Sequence, residues 1–399
     1  MDKRYRIGFV VPRYGEEILG GAEALARGLA EAVVAADMAE VEVFTTCATN
    51  HMQWRNDLSP GRTQINGVTL HRFLIDEQMR KLDRYEALHQ RLIAREQLEP
   101  DEQYEWVHAS AHSPQLYAHL ELHAHEFDFL IFIPYLFGTT YYGTTIAPER
   151  SILWPCYHDE IYAYMQPTAD VYHSCLGVQF NSYPEQRLAE RIFGPHPGSA
   201  IVGFGLPDFA AQGVTFRAEQ GLGERPILLY SGRLEGSKNV HLLLHYFQEY
   251  KQRRANDWTL VLMGQGPEPI PDHPDIRAVG FRMGQAKLDA YAAANLLCQP
   301  SINESFSIVI MESWLAGVPV LVHRDCEVTH YHALRSRGGL SFRTYGEFET
   351  VLDQLLLNGG LGRRLGERGR AYVRTEYTWD SCLARFRQSL DKWQALKQL

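Results

Sequence analysis

Short apolar runs alternate with amphipathic stretches of helical length along most of the chain. Near the N-terminus, "RIGFVVP" predicts a buried parallel strand, "AEALARGLAEAVVAADM" an alanine-rich helix and "VEVFTTCA" the next strand. The same order resumes at "RPILLYSGRL" and continues through "VHLLLHYFQEYKQRR", "WTLVLMGQGP" and "IRAVGF". Strands that alternate with helices of this length predict an α/β protein with two doubly wound parallel sheets.

Glycine and proline cluster between these two series, which marks the boundary between two domains. We therefore predict an N-terminal domain at 1–205, an interdomain linker at 206–225 and a C-terminal domain at 226–376. The charged stretch 76–126 favours helices added to the first domain. A final helix is predicted at 377–399.

Length and charge limit the classes of protein that the chain can belong to. With 399 residues, 45% of them hydrophobic and 22% charged, it exceeds one compact core and has an ordinary globular composition. The net charge of -9 divides into -11 for residues 1–205 and +2 for the rest. Binding to phosphate backbones needs clustered positive charge, so we expect no nucleic-acid partner and at most weak peripheral membrane association.

Cysteine usage and hydropathy predict the compartment. The six cysteines are scattered without a CxxC pair, which does not resemble a disulfide framework. No apolar run reaches about 18 residues, and the basic start leads straight into a strand without a cleavage-type segment. These features predict a cytoplasmic protein that is neither exported nor membrane-spanning.

The loops that follow the strands carry the candidate chemistry, because open parallel sheets bind ligands beyond the carboxyl ends of their strands. Gly232, Arg233 and Lys238 follow "ILLYS", and two cations beside a glycine suit a diphosphate. A solvated basic loop would have the same composition. In "MGQGP", Gly264 and Gly266 leave room for a ligand to pass, although any tight turn would also use glycine.

The stretch "SINESFSIVIMESWLAGVPV" places two acids around the start of an apolar helix. Glu304 lies in the loop, Ser305 or Ser307 begins the helix, and the first N–H groups form an anion site. Glu312 lies within the apolar helix, where an unpaired carboxylate would cost several kcal/mol. Two ribose hydroxyls would supply a partner, and the alternatives are a distant arginine or partial exposure of the carboxylate.

Taken in order, these motifs resemble the retaining family 4 glycosyltransferases of GT-B architecture. The resemblance covers essentially the whole chain, and it implies two Rossmann-like doubly wound parallel-sheet domains facing a cleft, with the C-terminal helix crossing back to the N-terminal domain. The matching segments are Gly20–Gly21, His158–Asp159, Gly232–Lys238, "GQGP", Glu304-x7-Glu312 with "AGVPV", and the terminal "YTWD".

The resemblance implies a role for each matching residue. Arg233 and Lys238 would hold the donor diphosphate, Glu312 would bind the ribose, and Glu304 would contact the donor sugar. His158 would lie near the reacting carbon, which makes it a catalytic candidate together with Glu304, Arg233 and Lys238. The other implied donor contacts are glycines and residues at the helix start: Gly20, Gly21, Gly232, Gly264, Gly266, Ser305, Phe306 and Ser307.

Aromatic residues cluster in sequence around His158 and indicate an acceptor pocket. We predict acceptor contacts at Tyr135, Asp159 and Tyr162, since tyrosine rings stack on sugars; core packing is the alternative explanation for many of these rings. Asp159 would also orient and charge His158, although adjacent residues of an extended chain point apart.

The implied activity is transfer of a sugar from a UDP- or GDP-linked donor to a glycan or another hydroxyl acceptor, in bacterial surface polysaccharide or glycoconjugate synthesis. Arg, Lys and a helix N-terminus stabilise the departing diphosphate, and no Asp-x-Asp motif is present, so we expect no metal and no cofactor. Two alternatives stay open: a GT-B epimerase or phosphorylase, and a non-catalytic nucleotide-sugar-binding protein.

Overall fold

The computed structural model divides the chain into two compact units. The first unit consists of two segments, one that ends at Gly205 and one that begins at Cys382. The second unit spans Leu206–Ser381. No helix in the described part of the chain is both long and apolar enough to cross a membrane. The structure describes residues 4–18, 20–50, 53–77 and 82–398.

The first unit contains an eight-stranded sheet. Its strands are β1 (Tyr5–Val10), β2 (Ala39–Thr46), β3 (Gly61–Ile65), β4 (Val68–Phe73), β5 (Phe129–Phe132), β6 (Ser151–Leu153), β7 (Gly177–Phe180) and β8 (Ser199–Ile201). Their order is β3-β4-β2-β1-β5-β6-β7-β8, and neighbours run parallel except for the antiparallel pair β3 and β4. Every residue of β5 is buried, because helices cover both faces of a doubly wound sheet.

Helices connect these strands in the predicted alternation. They are α1 (Gly21–Ala35), α2 (Leu82–Ile93), α3 (Pro100–His108), α4 (Pro114–His123), α5 (Gly138–Ile146), α6 (Gln166–Ser174) and α7 (Tyr183–Phe193). The predicted helical stretch 76–126 supplies α2, α3 and α4, while 78–81 lie outside the described residues. Both α3 and α4 begin with a proline, which is preorganised for the first helical position.

The second unit contains a six-stranded sheet in which all neighbours run parallel. Its strands are β9 (Ile227–Ser231), β10 (Thr259–Met263), β11 (Ile276–Gly280), β12 (Leu296–Gln299), β13 (Val320–His323) and β14 (Gly339–Phe342). They lie in the order β11-β10-β9-β12-β13-β14. The central strands β9 and β10 are buried at every residue, as their continuous apolar runs predict.

Helices alternate with the strands of this unit as well. They are α8 (Gly213–Glu219), α9 (Val240–Arg253), α10 (Gly284–Ala293), α11 (Ile308–Leu315), α12 (Glu327–Ser336), α13 (Tyr345–Leu357) and α14 (Leu361–Glu376). The range 206–225, predicted as a linker, belongs to this unit and contains α8. Arg217 attaches this range to the second unit, because its guanidinium donates to the carbonyl oxygens of Gly223, Arg225 and Ala293 at 2.6 to 2.8 Å.

The last helix, α15 (Trp379–Leu396), begins in the second unit and continues into the first. The Trp393 indole N–H donates to Gly198 O at 2.8 Å, and Arg385 Nε donates to Val202 O at 2.8 Å. Lys397 Nζ donates to Asp128 O, also at 2.8 Å. This helix therefore returns to the N-terminal unit, and the predicted GT-B fold is confirmed.

Candidate functional site

Two glycine loops meet backbone to backbone at the ends of β9 and β10. Gly232 N donates to Met263 O at 3.0 Å. A Cβ atom on Gly264 would lie 1.8 Å from Gly232 O, and one on Gly266 would lie 2.0 Å from Leu234 O. These glycines are thus required for the contact between the loops, a structural reason that is independent of any ligand.

Arg233 presents its guanidinium to solvent at this junction. Its side chain is 57% exposed and lies 3.2 Å from Glu235 Oε1. The Tyr230 hydroxyl donates to Arg233 O at 2.6 Å, which fixes the backbone while the side chain stays at the surface. Such an arginine can turn toward an incoming anion at little cost, because an exposed ion pair is worth only about 0–1 kcal/mol.

Lys238 and Glu304 form a half-buried ion pair, although 65 residues separate them in the chain. Lys238 Nζ donates to Glu304 Oε1 at 2.8 Å, and the two side chains are 19% and 11% exposed. The ammonium also lies 3.4 Å from Asn303 O, and Gln299 Nε2 donates to Glu304 Oε1 at 3.3 Å. The structure therefore brings the predicted phosphate-binding cation and sugar-binding acid together.

The segment before α11 is buried and turns sharply. Ser307 is the N-cap residue and adopts the left-handed conformation, with φ 70° and no capping hydrogen bond. Its Oγ is buried without a partner among the described residues. The Phe306 ring packs against His332 and Tyr377, and Ser305 is also buried. The donor contacts expected of Ser305, Phe306 and Ser307 stay predictions.

Glu312, in α11, has two partners that were not predicted from the sequence. Lys287 Nζ donates to Glu312 Oε1 at 2.5 Å, and the Tyr291 hydroxyl donates to Oε2 at 2.9 Å while lying 3.0 Å from Ser231 Oγ. Burial, and then the nearby Glu312 carboxylate, raise the pKa of Tyr291 well above its ordinary value. The expected alternative partner was an arginine, whereas the structure supplies a lysine.

A sequence signal for this pair existed. Lys287 and Tyr291 stand four residues apart on α10, which places both side chains on one face of the helix. α10 follows β11 and α11 follows β12, and these strands belong to the same parallel sheet. Both helices therefore begin at the edge where the strands end. Nothing in the spacing, however, specifies which acid this face meets.

Exposed apolar side chains lie at the end of β11. Phe281 is 42% exposed and Met283 is 56% exposed. They follow Gly280, whose carbonyl accepts a 3.0 Å hydrogen bond from Gly264 N. An exposed aromatic ring next to the glycine loops offers a flat apolar surface to a nucleobase. Neither residue belongs to a motif that marks it as a site residue in the sequence.

In the first unit, His158 follows β6 and meets a different acid from the one expected. Its Nδ1 lies 3.4 Å from Glu160 Oε1. Asp159 is instead paired with Arg191 at 2.7 Å. The idea that Asp159 orients His158 is therefore wrong for this structure, because successive side chains of an extended segment point apart and Arg191 takes the aspartate.

The predicted acceptor tyrosines are mostly packed into the unit. Tyr135 is buried against Tyr157, with ring centroids 4.7 Å apart, and its hydroxyl donates to Glu160 at 3.1 Å. Tyr162 is half-buried and stacks on Trp106 at 5.1 Å. Core packing thus explains the Tyr135 ring, and its role as an acceptor contact stays a prediction.

The glycines before α1 differ in their surroundings. A Cβ atom on Gly20 would lie 1.9 Å from the Glu23 carboxylate, whereas nothing lies within 4 Å of one on Gly21. Glu23 forms a buried ion pair with Arg13, whose Nη1 donates to Thr49 O at 2.9 Å. Gly21 therefore leaves open space at the helix start.

Among the described residues, no group of three or more His, Cys, Asp or Glu side chains could hold a metal ion. The imidazoles of His108 and His112 lie 4.2 Å apart, and those of His119 and His123 lie 4.5 Å apart. Each pair is thus in ring contact.

The predicted site residues fall into two sets. Gly20, Gly21, Tyr135, His158, Asp159 and Tyr162 belong to the first unit, and the remainder belong to the second. Within the second unit, the loops after β9, β10 and β12 collect the predicted cations, glycines and acids at one edge of the sheet.

Comparison with known proteins adds an independent observation. Residues 214–372 match the family described as "Glycosyl transferases group 1". The chain is 26% identical to the lipopolysaccharide glucosyltransferase WaaG of Escherichia coli over 203 residues, or 49% of this chain and 50% of that protein. Overall it spans between 23% and 50% of the length of the curated relatives that it matches.

Solved structures resemble nearly the whole chain. A sucrose-phosphate synthase from Thermosynechococcus elongatus matches with a TM-score of 0.72 at 16% identity, covering 98% of this chain and 100% of that one. HepE of Anabaena, solved in complex with UDP and glucose, matches with a TM-score of 0.70 at 14% identity, covering 97% and 100%. At these identities the likeness concerns the fold alone.

Proposed function

We propose that this chain, whose residues 214–372 form a glycosyl transferases group 1 domain, transfers a sugar from a nucleotide-diphosphate donor to a hydroxyl acceptor. The observation that carries the proposal is the pairing of Lys238 with Glu304 and of Lys287 with Glu312 at one edge of the second sheet. Each acid is held by a lysine from a different loop or helix, so the carboxylates are oriented before any ligand arrives.

The phosphate end of the donor would lie against Arg233 and Lys238. Departure of a nucleoside diphosphate develops negative charge on its oxygens, and fixed cations stabilise that charge. The ammonium of Lys238 has three donors, of which Glu304 and Asn303 occupy two. The third has no partner among the described residues and can meet a phosphate oxygen without breaking the ion pair. We propose on this basis that transfer needs neither metal nor cofactor.

The sugar end of the donor would lie at Glu304 and at the start of α11. Glu304 Oε1 accepts from Lys238 and Gln299. The carboxylate would accept hydrogen bonds from sugar hydroxyls and stabilise positive charge developing on the ring. The first N–H groups of α11 carry the positive end of the helix dipole. A leaving group and an acceptor that share one face of the sugar would give retention, the stereochemistry that we propose.

The nucleoside would occupy the surface near Glu312 and Phe281. Glu312 keeps free acceptor capacity beside Lys287 and Tyr291, and a carboxylate can accept hydrogen bonds from both hydroxyls of a ribose. The exposed Phe281 ring suits the base. HepE was solved with UDP and glucose, which favours UDP as the first nucleotide to test.

The first unit would bind the acceptor. We assign the acceptor contact to the segment that begins at His158, where an imidazole beside Glu160 can take or give a proton. The relatives include lipopolysaccharide glycosyltransferases, which supports an acceptor in surface polysaccharide or glycoconjugate synthesis. We also propose a cytoplasmic location, where sugar nucleotides are available.

The first experiment is thermal unfolding with excess UDP and then excess GDP. A ligand bound only by the native state at about 100 times its Kd adds about 2.7 kcal/mol, so the proposal predicts a shift of several degrees with one nucleotide. Arg233→Gln should reduce that shift. No shift with either nucleotide would contradict the proposal.

A second assay separates glycosyl transfer from the other reactions of this fold. Release of free nucleotide from the matching sugar nucleotide should require an acceptor alcohol. Release that requires inorganic phosphate would indicate a phosphorylase, and conversion of the sugar nucleotide without any acceptor would indicate an epimerase.

A further inference from the structure

The first unit contains a cavity to which the proposed function assigns no role. Its volume is about 320 Å³, at the lower end of the range of about 300–1,000 Å³ for small-molecule sites. It lies where α2 ends and the short helix Ile161–Tyr164 passes. The lining residues are Leu92, Arg95, Gln97, Leu98, Gln103, Ile161, Tyr164 and Met165.

The inner wall of this cavity is apolar and fixed. Leu92, Leu98 and Met165 belong to the buried side chains of the unit. Gln103 holds the wall in place, because its Nε2 donates to Leu98 O at 2.9 Å and its Oε1 accepts from Gln166 N at 2.7 Å. The amide is therefore satisfied within the protein, and a bound molecule would meet mainly hydrocarbon at this depth.

The rim of the cavity carries an arginine, Arg95, that has no ion-pair partner among the described residues. Arg84 and Arg91 of α2 are each paired with glutamates at 2.7 to 3.1 Å. Arg95 is exposed, adopts the left-handed conformation with φ 60°, and has no ion pair or side-chain hydrogen bond within the described ranges. The exposed amide of Gln97 stands two residues further on, likewise without a partner among the described residues.

The lining also includes an exposed aromatic ring whose hydroxyl is held in place. The Tyr164 hydroxyl donates to Asp159 at 2.7 Å, and Arg191 pairs with the same carboxylate at 2.7 Å. Asp159 is thus paired with a cation, which partly offsets its negative charge near the cavity. The Tyr164 ring remains 55% exposed beside the opening.

We propose that this cavity binds a small anionic amphiphile, with its alkyl part against Leu92, Leu98 and Met165 and its phosphate or carboxylate against Arg95 and Gln97. An apolar interior excludes a ligand that is hydroxylated throughout, because its hydroxyls would lose hydrogen bonds. An unpaired guanidinium at the mouth selects a negative head, which it can bind with two parallel hydrogen bonds. The site goes beyond the proposed glycosyl transfer and does not depend on it.

Decyl phosphate, kept below its critical micelle concentration, is the probe for isothermal titration with the full chain. Pentaethylene glycol monodecyl ether supplies the same alkyl chain with a neutral head, and inorganic phosphate supplies the head alone. We expect decyl phosphate to bind at least tenfold more tightly than either. Equal affinities for the two decyl compounds would overturn the proposal.

Three variants locate the binding. Arg95→Gln should remove the tenfold preference for decyl phosphate, whereas Arg84→Gln, which changes the net charge equally but lies outside the cavity, should preserve it. Ile161→Trp should weaken both decyl compounds by filling the space. An unchanged preference in Arg95→Gln would refute the site. A UDP-induced shift in the melting temperature of each variant shows that the variant is folded. If the parent chain shows no such shift, that result counts against the proposed glycosyl transfer and not against the site in this cavity.

Discussion

The edges at which the two sheets of this chain end carry different chemistry. In the second unit, two glutamates are each held by a lysine, Lys238 with Glu304 and Lys287 with Glu312. In the first unit, the segment after β6 carries a histidine near Glu160, together with aromatic rings that are largely buried. One edge thus presents acids oriented by lysines, and the other combines a histidine with aromatic rings that are mostly buried.

This difference assigns the two halves of the proposed reaction. A phosphorylated donor needs fixed charges, and the second unit has them without cost at the moment of binding, because the ion pairs already exist. A glycan acceptor would need aromatic surfaces and a group that moves a proton, and the first unit carries aromatic rings and His158. The predictions below test this division, beginning with the largest expected effect.

Glu304→Gln should reduce sugar transfer by about 10²–10³-fold, the range found when one preorganised group is removed from a reacting centre. The amide keeps the shape of the side chain but loses the charge that faces the sugar. Lys238 is released from its ion pair, so the Kd for the nucleotide should not rise. Initial rates of nucleotide release and a calorimetric titration measure the two quantities.

Glu367→Gln is the matched control, since Glu367 is exposed on α14 and is not among the predicted site residues. Its transfer rate should equal that of the parent chain. An equal loss of nucleotide affinity and of rate in Glu304→Gln would assign Glu304 to the nucleotide and remove it from the sugar.

Gly264→Ala should destabilise the second unit by about 1–3 kcal/mol, the usual cost of overpacking. The added methyl group would lie 1.8 Å from Gly232 O, so the two loops must separate. Urea unfolding followed by tryptophan fluorescence measures the loss. Gly236→Ala is the control, because nothing lies within 4 Å of its Cβ position; equal unfolding curves for the two variants would contradict the steric argument.

Glu312→Ala should raise the Kd for the nucleotide about tenfold, because a hydrogen bond to a charged group contributes about 1.5–3 kcal/mol. The loss should be specific to the ribose hydroxyls. The Kd for the 2′,3′-dideoxy nucleotide should therefore stay the same in parent and variant. An equal loss with both nucleotides would mean that Glu312 only supports the position of Lys287.

The second unit was the more predictable half, for a physical reason. Arg233, Lys238 and Glu304 lie in loops directly after strands, and the topology of a parallel sheet brings such loops to one edge whatever the details of packing. The glycines in those loops can also be recognised in the sequence, although their close approach to neighbouring backbone could not be inferred from spacing. The partner of Glu312 was missed because it comes from a neighbouring helix.

The first unit was predictable in fold but less so at its candidate site. Its strands and the helices of 76–126 follow from periodicity, whereas the partner of His158 depends on how a short irregular segment turns. Glu160, rather than the adjacent Asp159, reaches the imidazole because Arg191, from α7, takes the aspartate. Contacts of this kind are tertiary, and a sequence pattern does not contain them.

Buried titratable groups should also give the two units different pH dependences of the free energy of unfolding. This is the smallest of the expected effects. Burial raises the pKa of Glu185, in the first unit, from 4.5 to about 8, and burial lowers the pKa of His332, in the second, from 6.5 to about 3. Burial likewise lowers the pKa of His112, in the first unit, to about 4. These shifts make the folded state retain the proton of Glu185 and reject the protons of the histidines.

The contribution of Glu185 to the free energy of unfolding is fully present below about pH 4.5 and is lost as the pH rises through 8. That of His332 is fully present above about pH 6.5 and is lost as the pH falls through 3. Urea unfolding at pH 4, 6.5 and 8.5 should thus show that Glu185→Gln flattens the alkaline side of the profile and that His332→Phe flattens the acid side. In the first unit the gain from Glu185 opposes the loss from His112 as the pH falls below 6.5, so acid should weaken mainly the second unit, whereas the alkaline loss belongs to the first. A Glu185→Gln profile parallel to that of the parent chain would remove this distinction.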